Sequence, residues 1–210
     1  MKKCIVISDS FKGTLSSLEI CSIARESISK FFPGCQIVAV PVADGGEGTV
    51  ECFQEAIGAE RVTISVQGPF GEPVKAAYAR KGKLAVVEMA AAAGLPMAGE
   101  RRDPESASTY GVGQIISHAV KSGCTEILLG LGGSATNDGG CGAAVALGAH
   151  FYNQRGQEFV PTGGTLSEIE RIDVAQERMV LEGVTITAMC DVENPLCGPT
   201  GAAHVFGPQK

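Results

Sequence analysis

The sequence predicts an α/β protein built on a parallel sheet. Short apolar runs such as residues 4–7 alternate with amphipathic stretches, which is the order of strands and helices expected in this class. Polar turns rich in glycine follow several of these runs, and ligands of open α/β sheets bind where such turns leave the strands. The 210 residues include 28 glycines but only 5% aromatic residues, a balance that many short strand-to-helix turns would produce.

The first 60 residues predict the order strand, helix, strand, helix. Residues 4–7 are typical of a buried strand in a parallel sheet. Ser16 and Glu19 have the spacing of a capping box, which places the start of the first helix there. Residues 36–40 predict the second strand, and the glycine-rich turn at residues 42–49 opens the second helix.

After residue 60 the pattern changes to short strands, which predicts a domain boundary near that point. We assign residues 1–60 to the βαβα part of a first domain and residues 61–210 to a second α/β domain. The elements predicted in the second part are strands at 61–66, 74–78, 84–87, 127–129 and 184–189, a helix capped by Ser108 or Thr109, and a hairpin over 151–160.

Composition excludes several classes of protein. The formal net charge of −6 argues against a nucleic-acid-binding surface. The apolar run after Lys3 stops at Ile7, too short for a signal peptide, and no apolar stretch approaches the length of a membrane span. The eight cysteines form no CxxC pair, which favours free thiols in the cytoplasm over a zinc site.

The glycine-rich stretch at residues 130–140 is the strongest candidate for a binding loop. It contains five glycines, two hydroxyl residues, an amide and a carboxylate between an apolar run and an alanine-rich run. Backbone N–H groups in such a strand-to-helix turn can come close to a phosphate. The alternative is an ordinary tight connection with glycine at the turn. The polar residues from Ser134 to Asp138 favour the binding loop.

Charged residues also follow other predicted strands. Three carboxylates (Asp9, Asp44 and Asp191) and Lys12 stand just past strand ends. Phosphoryl transfer needs such groups, because a lysine holds phosphate, one carboxylate holds Mg²⁺ and another accepts the proton of the attacking hydroxyl. Two structural alternatives stay open: Asp44 could cap a helix with Glu47 closing the capping box, and Asp191 could cap the turn that follows it.

The common nucleotide motifs are absent. The sequence has no G-x-x-x-x-G-K-[ST], and no complete G-x-G-x-x-G follows the first strand. Residues 130–135 are close to the glycine-rich motif of the galactokinase and homoserine kinase superfamily, but the other signatures of that superfamily are missing.

Six segments, taken together and in order, resemble the glycerate kinase family of bacteria. The resemblance runs the full length of the chain. The segments are residues 9–13 (DSFKG), 41–49 (PVADGGEGT), 110–113 (YGVG), 130–140 (GLGGSATNDGG), 191–196 (DVENPL) and 205–210 (VFGPQK).

The resemblance implies a two-domain glycerate-kinase-like α/β fold, with a parallel Rossmann- or flavodoxin-like sheet and a second α/β domain. It implies ATP-dependent phosphorylation of D-glycerate, at the 2-hydroxyl, with Mg²⁺. Lys12 would face phosphate or the substrate carboxylate, while Asp44 and Asp191 would provide base and metal functions, with Asp191 as the metal ligand. The residues expected to meet phosphate or substrate are Ser10, Gly45, Gly46, Glu47, Gly132, Gly133, Ser134, Thr136, Asn137 and Asp138.

Members of this family continue well beyond residue 210, so the sequence resembles their N-terminal part. We expect an exposed apolar edge in such a fragment, because its first strands normally pack against chain that returns later. We also expect little or no kinase activity from it. The alternatives are a non-catalytic phosphate- or nucleotide-binding module and a kinase half completed by a separately encoded C-terminal half; a homo-oligomer is a further possible partner state.

Overall fold

The computed structural model describes residues 3–11 and 13–210, except the side chain of Glu177. The strands are β1 (Lys3–Ser8), β2 (Gln36–Pro41), β3 (Glu60–Gln67), β4 (Pro73–Lys81), β5 (Leu84–Glu88), β6 (Glu126–Gly130), β7 (His150–Tyr152), β8 (Glu158–Phe159), β9 (Arg171–Asp173) and β10 (Thr185–Met189). The α-helices are α1 (Ser17–Phe31), α2 (Thr49–Ile57), α3 (Ala90–Ala93), α4 (Leu95–Ala98), α5 (Tyr110–Lys121), α6 (Cys141–Ala146), α7 (Ala175–Val180) and α8 (Ala202–Phe206).

The first unit is a parallel pair, β1 and β2, connected by α1. Ser16 makes the predicted capping box with Glu19 at the start of α1. The buried hydroxyl of Ser17 joins both strand ends to the helix, since it donates to the Ser8 carbonyl at 2.6 Å and accepts the Val42 N–H at 3.0 Å. The carboxyl ends of β1 and β2 are therefore held side by side.

The β1 strand differs from the prediction in its burial. Its parallel pairing is as predicted, but Ile5 is 57% exposed and Ile7 is 66% exposed. In the described part of the chain β1 pairs with β2 alone, and α1 packs against this two-stranded sheet. The expectation of a buried strand is therefore wrong at these two residues, whereas the expected exposed apolar surface is present.

A five-stranded sheet in the order β10-β6-β5-β4-β3 forms the centre of the protein. The strands β10, β6 and β5 run parallel, while β4 and β3 add antiparallel partners. The core between this sheet and α5 includes Tyr78, Ile115 and Ile127, all essentially without solvent contact. This architecture confirms the α/β prediction.

The helix α2 packs against the same sheet, where Val50 contacts a cluster with Ala79 and Val86. It lies between the β1–β2 unit and the five-stranded sheet in the chain, and it has contacts with both. The assignment of residues 1–60 and 61–210 to two domains stays a prediction.

The predicted elements of the second part are present within three residues of their expected bounds. The hairpin over residues 151–160 forms β7 and β8, which join β9 in a small antiparallel sheet. The helix α5 begins after Thr109, but the Thr109 side chain makes no cap bond to it. His118 of α5 has a structural role, because its Nδ1 lies 3.1 Å from the hydroxyl of the buried Tyr78. Within the described residues, no helix combines the length and apolar character needed to span a membrane.

Candidate functional site

A cleft of about 980 Å³ lies where several parallel strands end. The turns that follow β1, β2, β6 and β10 line it, together with part of α2, the start of α4 and the last residues of the chain. The predicted site residues found in its wall are Ser10, Asp44, Gly46, Glu47, Gly132, Gly133, Ser134 and Asp191. The structure thus brings together side chains that are far apart in sequence.

Two glycine loops form the floor of the cleft by packing backbone against backbone. The Gly132 N–H donates to the Gly45 carbonyl at 3.2 Å, and a Cβ on Gly132 would lie only 2.8 Å from the Gly46 Cα. A Cβ on Gly130 would meet the Gly45 carbonyl. These glycines are required because one loop touches the other, an explanation distinct from close approach of a ligand.

The β10 strand is attached to the same floor. The Leu131 N–H donates to the Met189 carbonyl at 3.2 Å, so the turn after β6 is fixed to the end of β10. Asp191 follows that end, is exposed and lines the cleft. In the described part of the chain, no hydrogen bond joins its carboxylate to the Asn194–Pro195 turn that it was alternatively expected to cap.

The Asp44 loop has a different geometry from the capping alternative. Gly48, with φ of 91°, occupies the N-cap position of α2, and Thr49 begins the helix. The Asp44 carboxylate instead accepts the Gly46 N–H at 2.9 Å. The structural alternative, in which Asp44 is the N-cap residue and Glu47 closes a capping box, is therefore wrong. Both Asp44 and Glu47 are exposed to the cleft.

The turn after β1 contributes another carboxylate. Asp9 lines the cleft and accepts the Ser10 N–H at 2.6 Å. Lys12, predicted to bind phosphate or the substrate carboxylate, lies outside the described residues, so its role stays a prediction.

Three predicted ligands in the 130–140 loop are placed behind the cleft wall. Asp138 is only 1% exposed and accepts bonds from the Thr109 N–H and hydroxyl, each at 2.8 Å. It also accepts the N–H groups of Gly140 and Gly142. Asp138 therefore ties this loop to the start of α5. Thr136 is buried and Asn137 is half-buried, and neither is among the residues lining the cleft.

Lys210 is a cleft residue that sequence reasoning did not assign. Its Nζ donates to the Ser134 hydroxyl at 2.9 Å and to the Thr136 carbonyl at 2.8 Å. Burial lowers the pKa of this ammonium, while the charge of Asp138 opposes the shift. Among the described residues that line the cleft, Lys210 is the only lysine or arginine. The one available signal was its place in the 205–210 segment.

Glu88 is a second residue that the sequence analysis missed. It ends β5, is buried, and accepts the Val50 N–H in the first turn of α2 at 2.6 Å. Burial raises the pKa of its carboxyl to about 7, chiefly through desolvation. This carboxylate therefore takes up one of the free N–H groups at the N-terminus of α2.

The cleft is rich in acids and has a donor set that suits a hard cation. Asp9, Asp44, Glu47 and Asp191 line it. Among the described residues, no three metal-ligating side chains converge on one point. Magnesium commonly takes only one or two protein carboxylates and completes its shell with water and substrate phosphates. The residues present therefore fit magnesium held together with a phosphate-bearing ligand.

These features first define a class of protein. It is an α/β protein with a polar cleft at the carboxyl ends of its parallel strands, which is where open α/β sheets bind their ligands. A sequence model described as the Glycerate kinase family matches residues 4–210. The chain belongs to the glycerate kinase family.

Similar proteins agree with this assignment. Glycerate 2-kinase of Escherichia coli K12 is 45% identical, with 99% of this chain and 55% of that protein covered. Glycerate kinase of Bacillus subtilis 168 is 44% identical, with the same coverage. A crystal structure of a Salmonella typhimurium LT2 protein assigned as glycerate kinase 2 superposes with a TM-score of 0.86 at 40% identity, covering 99% of this chain and 56% of that one. The chain thus spans about half the length of these relatives, and its fold is glycerate-kinase-like as predicted.

Proposed function

We propose that this chain forms one wall of a site that transfers the terminal phosphoryl group of ATP to D-glycerate. The observation that carries the proposal is the cleft itself, which combines Asp44, Asp191 and the 130–140 loop in a chain of the glycerate kinase family. Transfer to the 2-hydroxyl is supported by the relative named glycerate 2-kinase.

In this reaction the glycerate hydroxyl oxygen attacks the γ-phosphorus, and the bond from that phosphorus to the bridging oxygen of ADP breaks. The hydroxyl proton goes to a carboxylate, for which Asp44 and Asp191 are the candidates because both line the cleft. Lys210 and the Ser134 hydroxyl beside it would face phosphate or the glycerate carboxylate. We propose that Lys12 also faces phosphate or the glycerate carboxylate.

Magnesium would be held by Asp191, with Asp44 as the second carboxylate in reach of the cleft. When bound, it would neutralise phosphate charge and orient the transferring group. A cation is needed here because the described wall contains more carboxylates than ammonium groups, and these would otherwise repel ATP.

The activity is tested by coupling ADP release to NADH oxidation in the presence of ATP, Mg²⁺ and D-glycerate. Adding enolase to a parallel reaction identifies the product, since that enzyme consumes 2-phosphoglycerate directly. ADP release that depends on D-glycerate supports the proposal. If calorimetry detects binding of neither ATP nor D-glycerate, the chain does not form part of such a site and the proposal is wrong.

The roles of individual residues are tested with Asp44→Asn, Asp191→Asn and Lys210→Met. The two Asn variants are expected to keep nucleotide binding within a few-fold and to lose any ADP release that the parent chain shows with D-glycerate. Lys210→Met is expected to weaken ATP binding about tenfold, as for the loss of one charged hydrogen bond of ~1.5 kcal/mol. Asp173→Asn, in β9 and outside the cleft, is the matched control and should behave like the parent.

A second candidate function is a binding wall that needs a complementary polypeptide for turnover. Two observations favour it: the chain spans 55% of its relatives' length, and the apolar face of β1 is exposed. Ligand binding without ADP release would support this candidate. The complementary polypeptide would be a C-terminal half or a second copy of the chain.

We also propose a cytoplasmic location for the protein. This proposal rests on the cysteine pattern alone.

A further inference from the structure

Glu88 lies behind the floor of the cleft, at the junction of three elements. It is the last residue of β5 and is only 7% exposed. Its partner across the sheet is Gly130, the first residue of the 130–140 loop, and the Met89 N–H donates to the Gly130 carbonyl at 2.8 Å. The position of Glu88 is therefore fixed relative to one of the two glycine loops.

Its carboxylate contacts the element that follows the other loop. The Val50 N–H at the start of α2 donates to Glu88 Oε1 at 2.6 Å. Gly48, at the N-cap, has no side chain to accept such a bond, so a residue 38 positions away in the sequence does so. A charged acceptor at a helix N-terminus makes a stronger bond than a neutral one.

We propose that Glu88 is a positioning residue of the cleft, whose bond to the Val50 N–H holds the first turn of α2 and thereby sets the place of the Asp44 loop. The loop at residues 44–48 leads directly into that turn, and Asp44 and Glu47 line the cleft from it. The importance of this placement for ATP and glycerate rests on the proposed function.

The surroundings of Glu88 make the contact sensitive to pH. Burial is the largest cause of the pKa of about 7 of the Glu88 carboxyl, and the hydrogen bond from the Val50 N–H opposes it. The charges of Glu51 and Glu47, from the first turn of α2 and the loop before it, raise this pKa further, while Arg61 of β3 lowers it. The neighbouring Gly130 of β6 and the four alanines of α3 bring no charge. The carboxyl is ionised above pH 7 and holds α2 most strongly there; protonation weakens the bond.

A purely structural cap would not require this arrangement. Ser, Thr or Asp next to the helix would cap it without burying a carboxyl group. Gly48 instead has a φ of 91°, which disfavours such side chains, and the cap comes from β5. The result is a direct connection between the end of β5, the 130–140 loop beside it and the Asp44 loop.

The first experiment follows the Val50 amide by two-dimensional NMR between pH 5.5 and 8.5, in the whole chain. The Val50 resonance should titrate with a midpoint near pH 7 in the parent and in Glu126→Gln, and should not titrate in Glu88→Gln. Glu126 is the matched control because it is an exposed glutamate at the opposite end of β6. A Val50 resonance that titrates equally in Glu88→Gln overturns the proposal.

The second experiment measures hydrogen exchange in Glu88→Ala and in Glu126→Ala. Amides of residues 46–52 should exchange at least tenfold faster in Glu88→Ala, while those of α5 keep the parental rate. Equal acceleration in both regions would show a general loss of stability, and no acceleration would show that the bond does not hold the turn; either result overturns the proposal.

The third experiment separates this inference from the proposed function. At pH 8, Glu88→Gln should bind Mg²⁺-ATP at least threefold more weakly than the parent, and the difference should disappear at pH 6. Unchanged binding at pH 8 contradicts the positioning role. If the parent binds no ATP, the proposed function fails. The Val50 titration and the exchange rates still test the positioning role of Glu88 in that case.

Discussion

Two buried carboxyl groups, Glu88 and Asp138, flank the glycine loops and have opposite surroundings. Asp138 accepts four hydrogen bonds from the chain around it, so its charge is well compensated. Glu88 accepts one bond, from Val50, and has the acids Glu47 and Glu51 nearby. At the scale of single residues, one carboxylate therefore stabilises the fold while the other costs stability when it ionises.

Glu88→Gln should change the pH dependence of stability. Since the pKa is raised from 4.5 to about 7 in the folded protein, the stability from this group is fully present below pH 4.5 and is lost as the pH rises through 7. The parent should therefore lose about 3 kcal/mol of its free energy of unfolding between pH 4.5 and 8 through this group, at ~1.4 kcal/mol per pKa unit. Glu88→Gln has no carboxyl group to ionise there, so its stability should gain on that of the parent by the same amount. Urea unfolding at both pH values measures it, and an equal difference at both would contradict it.

Asp138→Asn should destabilise the protein by about 3 kcal/mol. The Asn amide can accept fewer hydrogen bonds and places an N–H₂ group against N–H donors, so buried donors of Thr109 and the loop lose their partner. Urea unfolding at pH 7 measures the change. Asp173→Asn, in the small sheet, is the control, with an expected effect below ~1 kcal/mol. A stable Asp138→Asn that no longer binds ligand would instead indicate a direct binding role.

The glycine loops act as one element of structure because their backbones touch. Gly45 and Gly46 of one loop face Gly130 and Gly132 of the other, and β10 is fixed to the same place. The position of each wall of the cleft therefore depends on the other. A substitution at this contact should therefore displace both loops.

Gly132→Ala should separate the two loops. Its Cβ would contact backbone atoms of Gly46, which cannot move aside as a flexible side chain could. We expect a loss of stability of about 1–3 kcal/mol and at least tenfold weaker ATP binding. Gly82→Ala is the control, because its φ is +58° but its Cβ would meet nothing within 4 Å. Strain alone should cost that control ~1 kcal/mol and leave binding unchanged.

Most helices and strands could be predicted because their signals are local. The Ser16–Glu19 capping box and the alternation of apolar runs with glycine turns depend on neighbours in the sequence. The strand ends of β1, β2, β6 and β10, and hence the place of Asp44 and Asp191, followed from the rule for parallel sheets.

The remaining features depend on contacts between distant residues. Nothing near Glu88 in the sequence shows that it caps a helix 38 residues earlier, and Lys210 reaches a loop 74 residues before it. The Asp138 carboxylate resembled a ligand in sequence, and only its burial and its bonds to Thr109 reveal its structural place. The exposure of Ile5 and Ile7 likewise follows from strand neighbours, which periodicity does not specify.

At the scale of the whole molecule, the protein has a well-packed centre and an apolar face at one side. The core around Tyr78, Ile115 and Ile127 excludes water, whereas Ile5 and Ile7 on β1 remain exposed. Because the described fold buries neither side chain, its stability depends little on that face.

The double variant Ile5→Glu, Ile7→Glu should lose less than about 2 kcal/mol in the free energy of unfolding, because neither side chain is buried. Binding of the dye ANS should fall, since the variant exposes less apolar surface. Ala39→Glu on β2 is the control: that residue is buried, and a charge there should cost more than ~3 kcal/mol. Urea unfolding and dye fluorescence measure both effects, and a double variant as unstable as the control would show that the face is buried in solution.

The contact of Lys210 with the 130–140 loop has a consequence for the time course of folding. A chain under synthesis emerges N-terminus first, and contacts between distant residues form late because a long loop must close. The hairpins of β3, β4 and β5 can pair early, while β10 and Lys210 are made long after the loop at Ser134 that they contact. A newly made chain can thus form the hairpins of the central sheet before the contact between Lys210 and the loop at Ser134.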